Sequence, residues 1–193
     1  MVGEDGDVVD ASSLRGKLLI ATPPLEDENF DRSVVLMLEH SDDGALGVIL
    51  NRPTINDVEE MLEAWAPYTA QPRVLFHGGP VEPGAVIGLA RMGSTEASDD
   101  WAPVVDRLGT IDLRREPDAL APGVEVLRLF VGYAGWAGGQ LESELSLGAW
   151  IVADAHPDDA FVDDPTELWR TVLGRQRGRT SWLATYPDDP ELN

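Results

Sequence analysis

Apolar residues in this chain fall mostly into short runs separated by turn-forming residues, which is the pattern of buried strands joined by tight connections. Residues 18–21 and 34–38 are two such runs. Between them, residues 22–33 carry two prolines among polar residues, so the segment reads as a surface loop anchored by Phe30. The Asp43-Gly44 step is a hairpin signal leading into a third run at 46–50, so the second and third strands are expected to be antiparallel neighbours. Asn56 followed by Glu59 resembles a capping box, and Val58, Met61, Leu62 and Trp65 recur at helical spacing, which predicts an amphipathic helix stopping before Pro67. Further strands are expected at 74–76 and 85–90, around the glycine turn His77-Gly78-Gly79-Pro80. Residues 94–122 are mixed and polar, with a short strand at 110–113, and the boundary of any sub-lobe is placed there.

The apolar run 124–131 leads into Gly132-Tyr133-Ala134-Gly135-Trp136-Ala137-Gly138-Gly139-Gln140-Leu141-Glu142-Ser143-Glu144, read as a strand-to-helix junction with free backbone N–H groups. Gly148 is placed as the helix stop and residues 150–153 as another buried strand. Asp164-Pro165-Thr166-Glu167 announces a last helix, with Leu168, Trp169, Val172 and Leu173 on one face. Arg170, Arg175, Arg177 and Arg179 gather toward or beyond its end, where cations suit the helix dipole. Capping is favoured there over nucleic-acid binding, because prolines and Asp188, Asp189 and Glu191 follow. The whole reads as one unit over residues 15–180, preceded by a mobile acidic arm (1–14) and followed by a tail (181–193).

Composition narrows the function classes. With 43% hydrophobic and 25% charged residues and six tryptophans, the chain is globular and long enough for one sizeable core. The formal charge of −21, with Lys17 as the sole lysine, repels phosphate backbones and argues against direct nucleic-acid binding. The absence of cysteine excludes disulfides, thiolate metal sites and a cysteine nucleophile. No apolar run approaches membrane-spanning length and the first ten residues lack a signal-peptide pattern, so a cytoplasmic location without membrane contact is expected.

Local chemistry is sparse. Gly132, Gly135 and Gly138 match neither a dinucleotide fingerprint nor a Walker A loop, and Glu142 and Glu144 would compete with an anion at that helix start. Two readings of the motif stand side by side. In one, the glycines allow close packing while Trp136 and Leu141 enter the core; in the other, Tyr133, Trp136, Gln140 and Glu144 form a polar recognition surface. Glu142 and Glu144, at i and i+2, point to different sides of a helix and cannot flank one substrate. His40, His77 and His156 form no local metal signature. A convergence of Glu39, His40 and His77 on zinc or a proton-transfer site is the alternative to each histidine hydrogen-bonding backbone at a strand end. No Gly-x-Ser-x-Gly elbow is present, and no cofactor, metal or catalytic residue is assigned.

Several motifs occur together in a specific order: Gly16-Lys17-Leu18-Leu19-Ile20-Ala21-Thr22-Pro23, Phe30 with Arg32-Ser33-Val34-Val35, Glu39-His40, the segment 44–53 ending in Asn51-Arg52-Pro53, Gly78-Gly79-Pro80-Val81, and Gly132-Tyr133-Ala134-Gly135-Trp136 with 139–144. In these the chain resembles the bacterial YqgE/AlgH family across nearly its whole length. The resemblance implies an α+β fold in which a mixed, bifurcated sheet curls into a partial barrel with helices packed outside. Members of that family are mostly uncharacterised, and one branch is labelled a transcriptional regulator of alginate synthesis. The chain lacks a helix-turn-helix signature and a basic recognition helix, so any effect on transcription is expected through a protein partner.

The leading expectation is a non-enzymatic cytoplasmic regulatory or adaptor protein that binds a protein or small ligand. Its candidate surface comprises His40, Asn51, Gly78, Gly79, Pro80, Tyr133, Trp136, Gln140 and Glu144. The alternatives are an enzyme using His40 or Glu144 as general base, and a regulator that binds DNA directly. Convergence of these groups on a deep pocket would favour an enzyme, and a shallow patch a binding module.

Overall fold

The structure, a computed structural model, describes residues 13–23, 27–94, 100–117 and 123–186. Most of the expected acidic arm, the end of the expected tail and part of the 94–122 boundary region therefore lie outside the described residues. The elements in chain order are β1 (Lys17–Ala21), β2 (Val34–Ser41), β3 (Gly44–Ile49), β4 (Pro53–Asp57), α1 (Val58–Leu62), β5 (Val74–His77), β6 (Val81–Met92), β7 (Trp101–Val105) and β8 (Leu108–Ile111). They continue with β9 (Val124–Ala137), α2 (Gln140–Ser146), β10 (Trp150–Asp154) and α3 (Leu168–Gly174), linked by short 3-10 turns. The sheet runs β10-β1-β2-β3-β9-β6-β8-β7 and curls into a half-barrel, giving the α+β architecture. Among the described residues no helix is long and apolar enough to cross a membrane.

The first strands read as continuous apolar runs because both of their faces are covered. Leu18, Ile20, Val34 and Leu36 face a core completed by Leu168, Trp169, Val172 and Leu173 of α3. Leu19, Val35, Met37 and Ile49 face the opposite way, onto Trp136, Trp150 and Leu141 of α2. A third cluster joins Val58 and Trp65 to Leu75, Trp101, Leu127 and Leu129.

Strand β9 organises the sheet. Along one edge it pairs with β6 from Val124 to Tyr133. Along the other it pairs in parallel with β5 at Phe130 and Val131, then antiparallel with β3 from Ala134 to Ala137. The sheet forks between these two partners, at Gly132. Since β5 and β6 lie on opposite edges of β9, the chain joining them must cross that strand, and it does so at Gly78-Gly79. A Cβ on Gly132 would overlap the Gly79 carbonyl oxygen, one on Gly78 the Gly132 carbonyl oxygen, and one on Gly79 the Tyr133 backbone. Gly132 also has φ +70, in the left-handed region.

Four departures from the sequence pattern have local causes. The expected strand-to-helix junction at 132–139 is strand as far as Ala137, because hydrogen bonding to β3 carries β9 through its glycines, and the helix begins only at Gln140. The helix expected from Asn56 starts at Val58, with Asp57 as the cap, its Oδ1 accepting from Glu59 N at 2.8 Å, while Asn56 N is taken by Thr54 Oγ1. It lasts five residues before a 3-10 segment that contains Pro67, and Met61 on it faces solvent at 64% exposure. Strands β4 and β7 carry a proline each and lack clean alternation, features tolerated where a strand lies at a sheet edge. At the end of α3, Arg175 turns from the helix carbonyls to a bidentate pair with Asp159, at 2.7 and 2.5 Å.

Gly132→Ala is expected to lose about 3 kcal/mol or more of stability in urea denaturation, from clash added to left-handed strain. Gly139→Ala, also left-handed at φ +78 but facing open space, should lose only about 1 kcal/mol. Equal losses would show that the crossing relaxes around a methyl group.

Candidate functional site

The chemistry-bearing residues gather where α2 lies on the face formed by β2, β3 and β9. A β-bulge between Met37 and Glu39 brings His40 opposite Ala45, which in turn pairs with Trp136, so all three share the face that α2 covers. Trp150, opposite Ala21 at the start of β10, closes the other side. Leu141 anchors α2 in the core beneath.

Two buried indoles set the hydrogen bonding of this face. Trp136 and Trp150 are 6% and 5% exposed, and each buried indole N–H needs an acceptor. Glu144 supplies it for both: its Oε2 accepts from Trp136 Nε1 at 2.9 Å and from Trp150 Nε1 at 2.8 Å. Its Oε1 accepts from Gln140 Nε2, one helical turn earlier, at 3.0 Å, and Gln140 Oε1 accepts from Ala137 N at 3.1 Å. Phe30 stacks against Trp136, centroids 6.2 Å apart, and presents its edge to Trp150 at 5.5 Å. Glu144 thus joins α2 to β9 and β10 across an aromatic floor.

His40 forms the second contact of α2. Its Nδ1 accepts from Leu14 N at 3.1 Å, which assigns the neutral ring's proton to Nε2, 2.8 Å from Glu142 Oε1. The Glu142 carboxyl is held below its ordinary range, first by its own backbone N–H and then by His40. As their spacing implies, Glu142 and Glu144 reach different partners. Beside His40 lies an open depression of about 450 Å³, bordered by Arg15, Glu39, Ser41 and Asp43.

The structure brings together His40, Trp136, Gln140 and Glu144 and disperses the other residues expected with them. Asn51 is 8% exposed and bonded to backbone on both sides, its Oδ1 accepting from Val34 N and its Nδ2 donating to Arg32 O, each at 2.9 Å. Gly78 and Gly79 form the strand crossing, with Pro80 exposed beyond it. Tyr133 packs against the core on the α3 side. Among the described residues no group of three or more His, Asp or Glu side chains could hold a metal ion, so Glu39, His40 and His77 do not form one. The pattern did not single out Trp150 as a partner, although a buried tryptophan in an acidic chain carries an N–H that demands an acceptor. Nor did it mark Arg128, which is 2% exposed on β9, 4.3 Å from the Phe76 ring centroid, and bonded to the Val162 and Gln71 carbonyls. Burial pushes its guanidinium down to about 10.

A family model described as AlgH-like matches residues 18–181. The UPF0301 protein of Streptomyces coelicolor is 48% identical over 190 residues, covering 96% of this chain and 98% of its own. The UPF0301 protein of Thermobifida fusca is 44% identical over 194 residues, with the same two coverages. Among solved structures, a protein from Corynebacterium diphtheriae superposes with a TM-score of 0.85 at 32% identity, covering 89% of this chain and 92% of that one. The solution structure of the AlgH protein from Pseudomonas aeruginosa gives a TM-score of 0.68 at 29% identity, covering 93% and 97%.

Glu144→Ala, which strands two buried indole N–H groups, should lose about 3 kcal/mol in urea denaturation followed by tryptophan fluorescence. Gln140→Ala, at an exposed position, should lose less than about 1 kcal/mol. The depressed Glu142 carboxyl stabilises the fold above its unfolded pKa and ceases to do so as pH falls through its lower folded value. The stability gap between wild type and Glu142→Gln should therefore be larger at about pH 5 than at about pH 3; a gap independent of pH would show that neither the backbone N–H nor His40 stabilises the charged carboxylate.

Proposed function

This chain belongs to the AlgH-like family, and from that premise we propose that it is a non-enzymatic regulatory or adaptor protein of the cytoplasm that works by binding a protein partner. The observation that carries this reading is the engagement of the two candidate general bases, Glu144 and His40. Glu144 accepts three N–H donors, and both ring nitrogens of His40 are occupied. A general base needs a lone pair directed at a substrate, and here the lone pairs hold the protein together.

The outer side of α2 supports the same reading. Gln140, Glu142, Ser143 and Ser146 are exposed there, and Leu147 at its end is 84% exposed. An apolar side chain ringed by polar ones on a rigidly seated helix suits recognition of another protein. Direct action on DNA is the weaker reading, since the chain carries −21 and the Arg175 guanidinium is already paired with Asp159.

The test is affinity capture from cell extract with the wild type and a Gln140→Ala, Leu147→Ser double variant of matched melting temperature. A protein retained by the first and lost by the second is the expected result. Identical recovery by both would remove α2 as the recognition surface, and salt-sensitive binding to duplex DNA would replace the adaptor reading altogether.

A further inference from the structure

Two segments that take no part in the indole and carboxylate cluster meet elsewhere on the molecule. The turn after Phe30 and the link from β3 to β4 converge with α3 around a cleft of about 350 Å³. Arg32, Arg52 and Arg170 line it, each from a different one of these segments, together with Asp31 and Glu167. In a chain whose acidic residues outnumber its basic ones 35 to 14, a cleft lined by three arginines and two acidic residues departs from the balance of the whole.

The cleft is also built from behind. Asn51 fixes the Arg32 carbonyl and the Val34 N–H, holding Arg32 in the left-handed region at φ 51. That backbone conformation is disfavoured for a residue with a side chain, and it places the guanidinium 5.1 Å from the Trp169 ring centroid. Trp169 is itself pinned through Nε1 to Ala21 O at 2.9 Å. Arg52 Nη2 donates to Asp31 O at 2.5 Å, and Arg170 Nη1 to Ala184 O at 2.7 Å. Among the described residues the Asp31 carbonyl is the one hydrogen-bond partner of the Arg52 guanidinium, and no carboxylate pairs with it. Its remaining N–H donors keep the planar fork that matches a carboxylate or phosphate group.

We propose that this cleft is a binding site for a small oxyanion, a phosphate or carboxylate group, gripped by Arg52 and flanked by the charges of Arg32 and Arg170. Its volume is at the small end for ligand sites, which suits a small anion or the anionic end of a metabolite. A single cleft on a surface otherwise acidic cannot track a nucleic-acid backbone, which requires a stripe of cations. Glu167 works against the anion and sets the affinity lower than three arginines alone would give. This site is independent of the partner-binding surface on α2.

The experiment is an amide-resolved NMR titration of the full chain with sodium phosphate and, separately, sodium acetate, at ionic strength held constant with sodium chloride. Saturable shifts confined to residues 31–33, 51–52 and 166–170 are expected with at least one of the two. A response to phosphate alone identifies a phosphoryl group, and a response to acetate alone a carboxylate. Arg52→Met should weaken binding by about tenfold or more, and Glu167→Gln should tighten it by about threefold. Absence of saturable shifts with both anions overturns the proposal, as do shifts that persist undiminished in a folded Arg52→Met. Were that variant to lose its fold, the wild-type titration and the Glu167→Gln comparison decide the matter alone.

Discussion

The constraint on which the rest depends is the backbone crossing at Gly132. Strand β9 has partners along both edges, and the segment leading from β5 to β6 passes over it so closely that Gly78, Gly79 and Gly132 leave no room for one another's side chains. At that point the edge of β9 changes partner from β5 to β3, and the sheet divides. One branch carries the surface capped by α2, the other the cluster beneath α1. The glycine motifs thus serve architecture first, and their proximity to the indole and carboxylate cluster comes from where β9 ends.

The ending of β9 in turn decides the character of the α2 face. The strand delivers Trp136 to the buried side and Gly138-Gly139 turn the chain directly into a helix, so that Gln140 and Glu144 return over the residue just placed. A tryptophan there would be unsatisfied without an acceptor, and Glu144 answers it and Trp150 together. Because this carboxylate is anchored on three sides, the helix above it is a rigid platform with an exposed outer face. The same network that engages the Glu144 carboxylate holds α2 against β9 and β10.

Charge is distributed with a similar division. Several arginines are paired with local carboxylates, as in Arg175 with Asp159, Arg115 with Asp100 and Arg107 with Glu125. Arg128 is buried, held by two carbonyls and the face of Phe76, while its Nε has no hydrogen-bond partner among the described residues. The cleft at Arg52 lies where three chain segments bring arginines together against the sign of the whole molecule.

Strand runs such as 18–21, 34–38 and 150–153, the Asp43-Gly44 hairpin, the Gly148 stop and the four-residue apolar face of α3 were legible in the sequence, since each depends on residues close along the chain. The burial of Trp136 and Leu141 was one of two readings the motif left open, whereas the divergence of Glu142 from Glu144 was legible. Strands β4 and β7 were not, because a proline and an exposed face erase the alternation by which strands are recognised. Nor did local pattern show that β9 runs through its glycines, that a bulge turns His40 toward α2, or that Asn51 faces inward. Hydrogen bonds from β3, β2 and the Arg32 turn decide these features across tens of residues. The linear order of residues settles which stretches are apolar, which turns are tight and the sign of the molecule's field. Folding settles which polar groups are engaged within the protein and which remain for a ligand, because that balance depends on donors and acceptors brought together from distant parts of the chain.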